Sequence, residues 1–94
     1  MRAAVGAVAL TGTDQAVSAK PAIYAGFVIR ETAGAVAVVR LYDNPSAASG
    51  TLIDDVALAA NESAREFYPN GIWAATGIYV KIVSGAVEGS IRVA

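Results

Sequence analysis

Short runs of β-branched and aromatic residues, bounded by Gly, Pro, Asn, Asp and Ser, recur along the whole chain. No stretch sustains the i, i+3, i+4, i+7 apolar spacing of an amphipathic helix, so the pattern predicts strands and turns. Val5 to Leu10 reads as a strand or a loose arm, closed by Thr11-Gly12-Thr13-Asp14. Gln15 to Ala19 is a weak strand, and Ile23 to Glu31 a strong one. The short Thr32-Ala33-Gly34 link to a strand over Ala35 to Tyr42 predicts a β-hairpin. Asp43 to Gly50 is the clearest loop, with Asx side chains, a Pro and a Gly together.

Later segments are read by alternation. In Thr51 to Leu58, Leu52, Asp54, Val56 and Leu58 share one face, while Asp55 points to the other. A carboxylate on each face predicts an edge strand, since inward charge on an edge discourages edge-to-edge aggregation. Glu66 to Tyr68 and Ile72 to Ala75 read as short strands about a Tyr68-Pro69-Asn70-Gly71 turn. Ile78 to Val83 places Ile78, Val80 and Ile82 on one side. Val87 to Val93 alternates most cleanly, with Val87, Gly89, Ile91 and Val93 inward. Strands at this spacing, with no βαβ unit and no internal repeat, predict an all-β, single-domain antiparallel β-sandwich or barrel.

Composition sharpens the picture. The 94 residues make one domain, 1–94, with 1–14 a possible N-terminal arm. Hydrophobic residues make up 55% of the chain, but alanine exceeds a third of them, so each buries little area. A core built that way hints at apolar surface completed by a neighbouring chain. There is no histidine and no cysteine. That removes Ser-His-Asp and Cys-His devices and thiolate metal sites. The net charge is −1 and no basic residues cluster, which disfavours nucleic acid and a polybasic membrane contact. No run reads as a transmembrane segment, and the stretch after Met1-Arg2 lacks the strong apolar core of a secretory signal.

Candidate chemistry is sparse. Asp54 and Asp55, on opposite strand faces, cannot form a two-carboxylate site together. Asp43-Asn44 lacks the oxygen-rich spacing of a calcium loop and reads as loop capping. The sole tryptophan, Trp73, near Phe67 and Tyr68, reads as a core plug. An exposed platform for a sugar or a partner is the alternative. No catalytic residue, cofactor or metal is expected, and the chain is not read as an enzyme. Candidate partner-contact or structural residues are Val5, Val8, Leu10, Asp43, Asn44, Asn70, Gly71 and Trp73.

The segment Leu41-Tyr42-Asp43-Asn44-Pro45-Ser46-Ala47-Ala48-Ser49-Gly50-Thr51, with Phe67-Tyr68-Pro69 and Ala75-Thr76-Gly77-Ile78-Tyr79-Val80, resembles small structural proteins of tailed bacteriophages. Those are head-decoration or other virion-associated β-sandwich proteins. The resemblance covers roughly Ile23 to Val83. Ile78 stands where Leu is common, and Ile72-Trp73 after the turn is unusual. The resemblance implies a capsid decoration protein that stabilises the head lattice as a homo-oligomer, commonly a homotrimer. Its partners would be the major capsid protein and copies of itself. Its place would be the virion, assembled in the host cytoplasm. An arm over Met1 to Asp14 could add a strand to a neighbour. A carbohydrate- or receptor-binding sandwich of a fibre or tail is the second expectation.

Overall fold

A computed structural model describes residues 5–94. Eight strands carry the fold: β1 (Gly6–Ala9), β2 (Gln15–Ser18), β3 (Ala22–Glu31), β4 (Ala37–Asp43), β5 (Thr51–Leu58), β6 (Ser63–Ala74), β7 (Ile78–Ser84) and β8 (Val87–Val93). They form two four-stranded antiparallel sheets, ordered β1-β8-β3-β6 and β2-β7-β4-β5. The chain is an all-β sandwich, as its strand-and-turn grammar predicts.

The pairings are nested. β4 pairs with β5, β3 with β6, β2 with β7 and β1 with β8. The chain is therefore one long antiparallel ribbon, doubled back at the 44–50 loop. The ribbon rolls up until β8 also meets β3 and β7 also meets β4. This rolled ribbon is the jelly-roll form of the sandwich.

Inward residues of both sheets build the core. Tyr24, Phe27 and Ile29 of β3 face Ala37, Val39 and Leu41 of β4, joined by Val56, Leu58, Ala74, Ile78, Val80, Val87 and Ile91. The alternation predicted for β7 and β8 holds at Ile78, Val80, Val87 and Ile91, which are buried; Ile82 and Val93 are half-buried and Gly89 is exposed. β5 lies at a sheet edge, as its split carboxylates predict.

Three expectations are corrected. The strands β3 and β4 do not pair as a hairpin; they belong to opposite sheets. Each has an apolar face, and facing each other across the sandwich buries both. The link 32–36 turns that corner around the buried carboxylate of Glu31, which accepts hydrogen bonds from the backbone of Ala33 (2.6 Å), Gly34 (2.8 Å) and Ala35 (3.2 Å). The two short strands about Tyr68-Pro69-Asn70-Gly71 are one strand, β6, with those residues bulging from it. Trp73 is not a core plug, for it is 64% exposed. Strand parity decides this. Ala74 pairs with Ala22 and is fully buried, so its neighbour Trp73 points outward beside Ile23. Of the segment expected as an arm, positions 1–4 lie outside the described residues, and Gly6–Ala9 runs along β8.

Candidate functional site

The bulge in β6 organises the most distinctive surface. Gly26 pairs with Phe67 and Tyr24 with Ile72, so Ala25 alone stands opposite Tyr68-Pro69-Asn70-Gly71. The three-residue excess is thrown outward at the sheet edge. Gly71 closes it with φ at 70°, a conformation that favours glycine. A side chain there would also run into Ile23. A groove of about 140 Å³ results, walled by Ile23, Ala25, Phe67, Pro69 and Gly71, with Val5 at its end.

Large apolar side chains surround this groove. Phe67 is 59% exposed and Trp73 64%, and Ile23, Ile72 and Val5 are exposed as well. Cross-strand partners share a sheet face. Ile23 and Trp73 are partners, as are Gly26 and Phe67, so these side chains lie along one outer face. Asn70 supplies a side-chain amide to the groove. A protein surface usually shows apolar side chains singly, whereas here they are grouped.

The predicted site residues separate into three places. Val5, Asn70 and Gly71 line the groove, with Trp73 next to it on β6. Val8, half-buried, pairs with the buried Ile91, and Leu10 packs against the core. Asp43 and Asn44 sit apart and hold loops. Asp43 accepts hydrogen bonds from the backbone of Ala75 (3.0 Å) and Thr76 (2.9 Å) and from the Thr76 hydroxyl (2.9 Å). These bonds, the Thr76 backbone bond foremost, lower its pKa below the ordinary carboxylate range. Asn44 accepts bonds from the backbone of Ser46 and Ala47, each at 2.9 Å, in an Asx turn.

Asp54 and Asp55 also join strands. Asp54 of β5 accepts the hydroxyls of Tyr24 on β3 (2.8 Å) and Tyr68 on β6 (3.0 Å), tying one sheet to the other. The two rings stand 5.7 Å apart at a 45° tilt. Burial and the bond to Asp54 raise both phenols, Tyr68 to about 12. Both therefore stay protonated donors. Asp55, on the opposite strand face, lies 3.5 Å from Arg40. Among the described residues no three His, Cys, Asp or Glu side chains gather as a metal site.

Alternation alone did not single out Ile23, Arg65 or Arg92, which share the face with Phe67 and Trp73. The signal in Ala64-Arg65-Glu66-Phe67 was its parity, Arg65 with Phe67, hidden because the strand's other face is equally polar. No protein-family model matches the chain, and neither does any curated protein or solved structure.

Proposed function

We propose that this chain is a structural adhesion protein of a phage virion, most specifically a capsid decoration protein. It binds copies of itself and the head lattice through the outer face of the β1-β8-β3-β6 sheet. The observation that carries the reading is the exposed, contiguous group of Trp73, Phe67, Ile23 and Val5 around the β6 bulge. Tryptophan and aromatic anchors of this kind supply most of the energy at protein interfaces. The jelly roll is consistent with the reading by analogy, since viral capsid domains use it, but lectins use it too. The carboxylates support it differently. Glu31, Asp43 and Asp54 are each engaged in holding the fold, which leaves rigid shape and surface as the means of action.

Quantitative mass spectrometry of purified virions tests this. The chain is expected in many copies at a fixed ratio to the major capsid protein, and its absence from virions would sink the reading. A second reading, a carbohydrate-binding module, is favoured by the exposure of Trp73 alone. Sugar recognition combines an aromatic platform with several polar groups that fix orientation, whereas this groove is mostly apolar. Glycan titrations that quench Trp73 fluorescence would favour the module over the adhesion protein.

A further inference from the structure

Beside the aromatic groove, the same sheet face carries a second feature. Arg92 of β8 and Phe67 of β6 flank Gly26, which has no side chain between them. One step along, Ser90 and Arg65 flank Val28. The result is a shallow depression of about 320 Å³, bounded by Val28, Arg65, Phe67 and Arg92, with Phe27 and Glu66 completing its wall. Glu66 pairs with Phe27, and its side chain leaves the strand on the other side from Arg65 and Phe67.

Among the described residues three cations elsewhere are paired with carboxylates, and the two at this depression are not. Arg30 is paired with Glu88 at 2.7 Å, Lys81 with Asp14 at 3.0 Å, and Arg40 with Asp55 at 3.5 Å. Arg65 and Arg92 have no carboxylate within that reach among the described residues. Arg92 donates its Nε–H to the Ser90 hydroxyl at 3.2 Å, which holds the guanidinium in place and leaves its terminal nitrogens free. Two guanidinium forks beside an apolar wall match a carboxylate on an apolar neighbour, because the planar fork pairs a carboxylate in two parallel hydrogen bonds.

We propose that this depression is a carboxylate subsite of the docking face, in which Arg65 and Arg92 hold an aspartate or glutamate side chain of a partner protein. Phe67 and Val28 pack the apolar residue beside that carboxylate. The proposal rests on the docking role given to this face above, and it adds the chemistry of the partner. A nucleic acid is the weaker fit. The third arginine of the face, Arg30, is neutralised by Glu88, and the chain carries a net charge of −1. Backbone phosphates need a longer track of free cations.

The test uses the full chain, isotope-labelled for amide NMR, and three probes. These are acetyl-Leu-Glu-Leu-Glu-Leu-amide, its Gln counterpart and an oligothymidine. The acidic peptide is expected to shift the amides of Arg65, Phe67 and Arg92 and the Trp73 indole signal. The Gln peptide is expected to bind about tenfold more weakly, the loss of one charge-assisted contact. The double variant Arg65→Gln with Arg92→Gln is expected to bind the acidic peptide no better than the Gln peptide. Arg65→Lys with Arg92→Lys should fall between, because charge remains without the fork. Equal binding of the two peptides, no binding of either, or stronger binding of oligothymidine would overturn the subsite. If the peptides bind alike but Trp73→Ala weakens both, the subsite fails and the docking face stands. If Trp73→Ala changes neither, the docking face itself fails.

Discussion

At the scale of single residues, charge and backbone geometry fix the corners of this fold. Glu31 accepts four backbone N–H groups, three from its own turn and one from Asn61 at 2.9 Å, so two distant links share one carboxylate. The bond from Asn61 is the largest cause of its lowered pKa. Asp43 is lowered chiefly by the Thr76 backbone, and Asp14 chiefly by its 2.9 Å bond from Ile82, then by Lys81. In the unfolded chain such carboxyls take up protons near pH 4. In the folded chain they do so only at lower pH. The unfolded state binds more protons across that window, so stability is expected to be full above about pH 5 and to fall as the medium acidifies. Urea titrations stepped through the acid range check this, and a midpoint that does not move would contradict it. Tyr68 gives the opposite sign. Unfolded tyrosine loses its proton near pH 10, whereas folded Tyr68 keeps it to about 12. Its contribution is expected to be full below pH 10 and lost as pH rises to about 12. Phenolate absorbance should show a late step that Tyr68→Phe removes. Gly89 is the strictest backbone position. Its φ is 141°, and an added Cβ would collide with the Val28 carbonyl on β3. Gly89→Ala is expected to cost at least about 1–3 kcal/mol in chemical denaturation, the usual penalty for a strained backbone.

At the scale of elements, parity was legible and partnership was not. The alternation of β7 and β8 was direct, since Ile78, Val80 and Ile82 line one side of β7 and one side of β8 has no polar side chain. The opposed carboxylates marked β5 as an edge. The sequence could not say which strand sits beside which. A short Gly-containing link between β3 and β4 suits a hairpin, yet Glu31 converts it into a corner between sheets. Only the partner Asn61, thirty residues away, whose backbone N–H reaches the buried Glu31, reveals that role. Trp73 was missed for another reason. Its size suggested a core plug, although it lies six residues from Phe67, an even spacing that sets both side chains on the outer face. Asp54 was read as an edge charge, and it is one, but its inward side chain is also the knot between Tyr24 and Tyr68. Asp54→Ala leaves the fully buried Tyr24 hydroxyl without that partner. It is expected to cost about 1–3 kcal/mol. Combined with Tyr24→Phe, the loss should be clearly less than the sum, since both changes remove one contact. Additive losses in a denaturation cycle would contradict the knot.

At the scale of the molecule, a rolled ribbon of small residues divides its tasks between its surfaces. The interior holds large rings sparingly, Tyr24 and Phe27 among alanines, valines and isoleucines. The rings of Phe67 and Trp73 are spent on the outside, on one face, next to two arginines that have no carboxylate partner among the described residues. The hydrophobic fraction of the chain is thus partly surface, grouped where a partner can cover it. Trp73 can be removed without touching the core, and such exposed positions usually change stability by no more than about 0.5 kcal/mol. Binding and folding can therefore be separated. For the proposed decoration role, the most direct measurement is co-sedimentation of the wild-type chain and of Trp73→Ala with phage heads that lack it. The wild type is expected to bind saturably, and the equally stable variant to lose at least about tenfold in affinity, as a central aromatic anchor does. Equal binding by the two chains, or no binding by the wild type, would contradict the account.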